Sequence, residues 1–346
     1  MKHEVTIIDR QPPIHVFRDI LNLIKRLILC FVGKYKGPVF YLGAYSKTSM
    51  TDLKPFISKY LGDSVITIKS DNQVFKLNEE GYQVYIVGSD QTWRPKFVYN
   101  IYYYFLDFLK RDIRTKRVAY AVSFGTSDWE YNIEQTLKCK DLARRFDAIS
   151  VREDDGVSLC KTYLDVNASH VLDPTMLLQK EDYITIFNSE EPVNKHITVS
   201  LLDTNDFYIE TLNKISGFYN LPIKRINSKS DELKTKKDYI EPSIENWLSG
   251  IYNAEFVITD SFHTTVFCII FNKPFITLIN PNRGISRISS LLRLFELNDR
   301  CIKDVDDLYK MTTGNCISAI NWDIVNKKLS LHREYSLKWL KIALQD

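Results

Sequence analysis

Phe256-Val257-Ile258-Thr259-Asp260-Ser261-Phe262-His263-Thr264-Thr265 is the stretch on which the fold turns. Phe256 to Thr259 is short, apolar and β-branched, which predicts a buried strand. It runs into Asp260 and Ser261, both good helix N-cap residues, and Phe262, Val266, Ile269 and Ile270 then recur at helical spacing. A strand passing through a cap into a helix is half of a parallel α/β unit. His263 falls in the first turn of that helix, where unpaired N–H groups and the helix dipole favour an anion. An imidazole there can hydrogen-bond a phosphate or carboxylate and carry a proton near neutral pH. Asp260 and Ser261 could equally do no more than cap, and His263 no more than pack; the stretch alone leaves both readings open.

The same pattern recurs in both directions from this point. Upstream, Val5 to Ile8, Tyr85 to Val87, Val118 to Val122, Ala148 to Val151 and Val171-Leu172 are short apolar runs ending in turns. A second series comprises Ile197 to Leu202, Pro222 to Ile226, Phe256 to Thr259 and Phe275 to Ile279. Many of the intervals are long enough for a crossover helix, so the fold class is α/β with parallel sheets. A boundary is expected at Asp173-Pro174, ahead of the aperiodic segment Phe187 to Val193. That predicts one domain over 1–174, a second over 175–330, and a final helix over 331–346 that packs back across the first. Ile14 to Val32 is too interrupted by charge to span a bilayer. Val16, Ile20, Ile24, Leu27 and Ile28 make it an amphipathic helix, either core-packed or lying on a membrane surface.

Bulk composition removes several functional classes. The 346 residues carry 46 basic and 43 acidic side chains, a net charge of +3, which argues against a general nucleic-acid binder. Hydrophobic residues at 45% and charged residues at 26% describe an ordinary globular chain. The six cysteines are scattered without a Cys-x-x-Cys pair and read as reduced thiols of a cytoplasmic protein. No His or Cys spacing suggests a metal site. Neither G-x-G-x-x-G, nor a P-loop, nor a G-x-S-x-G elbow is present, which disfavours nucleotide-dependent oxidoreductases, kinases and hydrolases.

Because ligands bind beyond the carboxyl ends of parallel strands, the turns are where chemistry is sought. Gly88 permits close backbone approach, Ser89, Asp90 and Gln91 can bond sugar hydroxyls, and Trp93 offers a flat face. A strand followed by a capped helix would look the same. Arg152, at the end of its strand, can grip a carboxylate or phosphate in two-pronged fashion, or form an intrachain salt bridge. Arg283 and Arg287, expected just before a helix over Ile288 to Phe295, are further cations, or members of a solvated helix face.

Taken in order, these pieces resemble the polysaccharide pyruvyl transferase family. The matching segments are Val87-Gly88-Ser89-Asp90-Gln91-Thr92-Trp93, Ala119-Tyr120-Ala121-Val122-Ser123-Phe124-Gly125, Ser150-Val151-Arg152-Glu153, Val171-Leu172-Asp173-Pro174-Thr175, Thr259-Asp260-Ser261-Phe262-His263 and Asn272-Lys273-Pro274-Phe275. The resemblance implies two Rossmann-like domains facing a cleft, as in GT-B glycosyltransferases, with the acceptor side in 1–174 and the donor side in 175–330. It implies phosphoenolpyruvate as donor, a sugar or lipid-linked oligosaccharide as acceptor, a cyclic pyruvate ketal as product, and no cofactor. The family's essential histidine falls on His263 and its donor-binding arginine on Arg152. Asp90 is the candidate for orienting or deprotonating the acceptor. Gln91, Ser89, Trp93, Asp260, Ser261, Arg283 and Arg287 line the substrates. Residence in the cytoplasm is expected, with peripheral contact at the inner membrane face open to a lipid-linked acceptor.

Two departures stand out. Thr264 occupies the place where the family usually has glycine after the histidine. The family usually opens with a strand and an Asn-aromatic-Gly loop ahead of the strand that Val5 to Ile8 match, so a shortened first domain is expected unless Val39 to Gly43 fills the gap. The competing readings are a GT-B-type glycosyltransferase using a nucleotide sugar and a non-catalytic glycan-binding relative.

Overall fold

The computed structural model describes residues 3–11, 50–110, 114–187, 195–203, 205–227, 240–280, 284–304, 306–307, 309 and 320–345. The amphipathic stretch 14–32, the segment 39–43 and Arg283 lie outside these residues. The first half contains β1 (Ile7–Arg10), α1 (Lys54–Tyr60), β2 (Val65–Ile68), α2 (Asp71–Lys76), β3 (Val84–Val87), β4 (Lys116–Val122), α3 (Ile133–Ala143), β5 (Ala148–Val151), α4 (Asp154–Leu159) and β6 (Ser169–His170). The second contains α5 (Lys180–Ile184), β7 (Ile197–Ser200), α6 (Asp206–Tyr219), β8 (Ile223–Arg225), α7 (Ile244–Tyr252), β9 (Phe256–Thr259), α8 (Phe262–Phe271), β10 (Phe275–Leu278), α9 (Ile285–Leu294), β11 (Cys301–Ile302) and α10 (Trp322–Leu344).

Every strand pairing among the described residues is parallel. One sheet runs β3-β4-β5-β6, a second runs β11-β10-β9-β7-β8, and β1 pairs with β2. The deciding stretch forms strand and helix as expected, and alternation explains how β9 is buried. Phe256 and Ile258 pack with Tyr208, Leu212 and Ile215 of α6, whereas Val257 faces Val266, Phe267 and Leu248 on the other side. The helix α8 is buried on almost every face, as its unbroken apolar sequence requires. In the first sheet β4 is likewise inaccessible from Val118 to Val122. Its register against β5 slips between Ala119 and Val122, where Ala121 takes a left-handed φ of 50°. The Ser150 hydroxyl repairs the break, accepting from the Ala121 amide at 3.1 Å and donating to the Ala119 carbonyl at 3.1 Å.

The final helix begins at Trp322 rather than near 331, because the Asn321 side chain accepts from the Ile324 amide and caps it there. The helix reaches back to the first sheet. Ser336 accepts from the Leu172 amide at 3.0 Å, Arg333 donates to the Met176 carbonyl at 2.8 Å, and Trp339 packs on Tyr120. Among the described residues no helix is long and apolar enough to cross a membrane.

The two larger sheets turn the carboxyl ends of their strands toward each other, the GT-B-like arrangement of two parallel α/β units. The seam between them is closed by direct contacts. The Ser286 hydroxyl donates to Asp155 at 2.6 Å, the Asp154 amide donates to Ser290 at 3.0 Å, and Arg293 donates to both carboxylate oxygens of Asp154 at 2.8 Å. Backbones also meet. A side chain at Gly284, where φ is 87°, would place its Cβ 2.1 Å from the Gly125 carbonyl oxygen.

Candidate active site

The site assembles where β3, β5, β6 and β9 end. After β3, Gly88 leaves no room for a side chain, since a Cβ would lie 1.9 Å from the Tyr120 carbonyl oxygen. The glycine therefore serves contact with β4, not the ligand approach expected of it. Asp90 follows with a left-handed φ of 58°, a conformation aspartate tolerates better than most residues. Its carbonyl accepts from the Thr92 amide at 2.8 Å and the Ser123 amide at 3.0 Å, which pins the backbone. The carboxylate points outward, with the side chain 59% exposed.

Arg152 leaves β5 with its side chain only 1% exposed. One nitrogen donates to Asp173 at 2.7 Å and another to Asp90 at 2.9 Å. Burial opposes its charge most strongly, but Asp173, Glu153 and Asp90 outweigh that and hold its pKa above the ordinary value. Asp173, just beyond β6, is equally buried. Burial would push its carboxyl up, yet Arg152 leads the groups that hold it below the usual range. Thr175 donates to the same carboxylate through its amide at 3.0 Å and its hydroxyl at 2.7 Å.

The opposing sheet contributes from β9 and α9. The Ser261 hydroxyl caps α8 by accepting from the Thr264 amide. His263, in the first turn, lies 4.0 Å from Asp173 and is pushed down from its ordinary pKa, mainly by burial. That favours the neutral imidazole relative to a free histidine. Arg287 donates to Asp90 at 3.3 Å. Burial, then the neighbouring Arg152, lowers its pKa to about 10. The Phe262 ring lies beneath both guanidiniums, 4.3 Å from that of Arg152 and 5.7 Å from that of Arg287.

Four residues expected from sequence thus converge: Asp90, Arg152, His263 and Arg287. Arg287 lies inside α9, which starts at Ile285, rather than ahead of a helix. Ser89 is half-buried beside Asp90. Other expectations are corrected. Trp93 is fully buried, stacks on Phe105 at 4.3 Å and donates to the Tyr104 carbonyl at 2.9 Å, so it offers no face to a sugar. Gln91 accepts from Arg94 at 2.9 Å and lies against Gly125. Asp260 accepts from the Leu202 amide at 2.7 Å and from Asn280 at 2.9 Å, tying the ends of β7, β9 and β10 together. Both Gln91 and Asp260 are structural. Arg152 forms the intrachain salt bridge that was its alternative reading, with one prong on Asp173 at 2.7 Å. Thr264, in the glycine's usual place, is accommodated: it is buried and its hydroxyl bonds that of Ser200 at 3.0 Å.

Sequence reading missed Asp173, Glu153 and Phe262. Asp173 looked like a helix-breaking boundary, although acid at a strand end followed by proline was its signal. Glu153 is wholly buried, and one carboxylate oxygen accepts from the Ser123 hydroxyl and the Phe124 and Gly125 amides at 2.9, 2.7 and 3.0 Å. Burial nevertheless raises its pKa. It fixes the loop that meets Gly284 beside Arg287. A cavity of about 440 Å³ lined by His170, Leu172, Leu294, His332, Tyr335 and Ser336 contains none of these charged groups, so volume and chemistry do not coincide.

Chemically, the seam holds two cations and an imidazole around one exposed carboxylate, and the guanidiniums are groups that can hold an anionic ligand. Solved structures similar to this chain include a glycosyltransferase from Rickettsia africae ESF-5, with 10% identity, TM-score 0.49, and coverage of 97% of this chain and 94% of that one. A UDP-N-acetylglucosamine 2-epimerase from Rickettsia bellii matches with 10% identity, TM-score 0.47, and 98% and 96% coverage. A UDP-glucosyltransferase from Polygonum tinctorium matches with 8% identity, TM-score 0.45, and 99% coverage of each. No curated protein sequence matches. The family model described as polysaccharide pyruvyl transferase matches residues 3–282, and the chain belongs to that family.

Proposed function

We propose that this protein transfers the pyruvyl group of phosphoenolpyruvate to two hydroxyls of a sugar, forming a cyclic ketal during polysaccharide biosynthesis. The observation that carries the reading is the meeting of Arg152 and Arg287, one from each half of the chain, with His263 in the first turn of α8. Phosphoenolpyruvate bears a carboxylate and a phosphate, and fixed guanidiniums with a helix N-terminus are the groups that hold such anions.

In the reaction the enol methylene gains a proton, one sugar hydroxyl adds to C2 and loses its proton, the C2–O bond to phosphate breaks, and the second hydroxyl adds and loses its proton, so that of the two hydroxyl protons one balances the methylene's and the other leaves with inorganic phosphate. His263 is the general acid in this scheme, and it also assists phosphate departure. Burial favours its neutral form before the donor binds, and the anionic donor acts in the opposite direction, raising its pKa so that it can carry the proton. Asp90, the exposed carboxylate of the group, orients or deprotonates the acceptor. No cofactor is required.

Titration calorimetry with phosphoenolpyruvate, with a UDP-sugar as comparison, tests the donor. Phosphoenolpyruvate binds, and His263→Ala lowers turnover about 100-fold or more while its melting temperature stays near that of wild type. Preferential binding of the UDP-sugar would replace this reading with the glycosyltransferase one.

A further inference from the structure

We infer that Asp90 is an internal stand-in for the donor anion, occupying its position between Arg152 and Arg287 until the donor displaces it. The inference rests on the pyruvyl transfer reading for the donor's identity, but not for the anion site itself.

Four observations support it. Asp90 is the one member of the group with a largely exposed side chain, at 59%, against 1% for Arg152, 1% for Asp173 and 9% for Arg287. Its backbone is held by two amides donating to its carbonyl, so the carboxylate can swing away without disturbing the turn. A single carboxylate oxygen receives both guanidiniums, at 2.9 and 3.3 Å, one from the end of β5 and the other from α9 in the second half of the chain. Finally, Arg152 keeps its other prong on Asp173 at 2.7 Å, so losing Asp90 frees one nitrogen for a ligand while leaving the arginine anchored. A donor carboxylate or phosphate oxygen presents the same acceptor chemistry as the Asp90 carboxylate, so the exchange replaces like with like.

The displacement sets an order of events. While Asp90 lies on the arginines one of its oxygens is committed to them, and Arg152 holds its carboxyl below the usual range against the opposing effect of burial, so it is a poor base toward a sugar hydroxyl. Once the donor takes its place, the carboxylate is released on the solvent side of the seam, where the acceptor must arrive. Donor binding therefore precedes productive acceptor binding.

The test is titration of the whole protein with inorganic phosphate and, separately, with phosphoenolpyruvate, using wild type, Asp90→Asn and Asp90→Ala. Removing a charge-assisted competitor tightens anion binding about tenfold. Melting curves establish that both variants are folded. Tighter binding of both anions by both variants supports the proposal. Tighter binding of phosphate by both variants, with no form binding phosphoenolpyruvate at all, also supports it while removing phosphoenolpyruvate as the donor. Phosphoenolpyruvate binding that is unchanged or weaker in both folded variants would overturn the stand-in and leave the donor reading intact. Failure of every form to bind either anion would overturn both.

Discussion

Arg94, in the loop after β3, and Arg152, at the end of β5, are two nearly inaccessible arginines, and their partners differ in a way that separates structure from chemistry. Arg94 donates to both oxygens of Glu130 at 3.0 and 3.1 Å and to Gln91 at 2.9 Å. Glu130 is only 11% exposed and also receives Lys96. That pair is matched fork to fork, and nothing in it can be exchanged for a ligand without a loss. Arg152 divides its donors between a buried carboxylate, Asp173, and an exposed one shared with Arg287. Burial of a cation thus says little by itself. Exchangeability depends on whether its counter-ion is fixed.

The sharpest way to break this comparison is Arg152→Ala. Asp173 would remain buried without its guanidinium, a loss of about 3–5 kcal/mol for a broken buried pair. The sign of the pH dependence is fixed by the same pair. In wild type the Asp173 carboxyl is depressed, so its contribution is present above the ordinary carboxylate pKa and fades as pH falls through the depressed value. In Arg152→Ala the carboxyl is buried without its guanidinium, so burial lifts it above the ordinary value; the penalty is full at neutral pH, and protonation relieves it as pH falls toward 4, which narrows the gap from wild type. Chemical denaturation at pH 7 and pH 4 checks this. An equal gap at both would mean that Asp173 is not the buried partner that matters.

Arg94→Ala is the control from the other side of the comparison. It removes three hydrogen bonds and lowers stability by about 1–3 kcal/mol, leaving phosphate affinity as in wild type. A fall in phosphate affinity matching that of Arg287→Ala would erase the distinction between the two arginines.

The same distinction explains what the sequence disclosed. Short apolar runs ending in Gly, Ser or Asp located β3, β4, β5, β7, β9 and β10, because buried parallel strands leave a continuous apolar record. The brief β11 left too little of one, whereas β2, Val65–Ile68, carries as apolar a record as β9 and went unread. Asp90, Arg152, His263 and Arg287 were legible as turn residues, but their convergence was not, since it depends on how two sheets meet. Trp93 shows the reverse limit. An aromatic side chain after a strand reads the same whether it faces a sugar or, as here, stacks on Phe105. Asp173 was hidden because Asp-Pro signals a chain break in sequence, while its carboxylate anchors the site in space.

The smallest expected effect concerns His263 and sharpens the comparison most finely. Its neutral imidazole is favoured mainly by burial, with Arg152 also acting in that direction, while Asp173 and Asp90 pull its pKa up. Replacing the single charge of Asp90 by a donor that carries both a carboxylate and a phosphate leaves more negative charge beside the ring, so its pKa must rise on binding. At pH 7 a fraction of a proton is then taken up from solvent. Calorimetry in buffers of different ionisation enthalpy measures that fraction directly. His263→Gln keeps a hydrogen-bonding side chain but cannot titrate, so the difference between the two proteins isolates the histidine from the donor's own phosphate group. Uptake by wild type and none by the variant would show the ring charging as the donor arrives, which a general acid at this position requires. Equal values would leave His263 a neutral hydrogen-bonding partner and move the search for the acid to the other buried carboxyl of the seam, Glu153, whose pKa burial already raises.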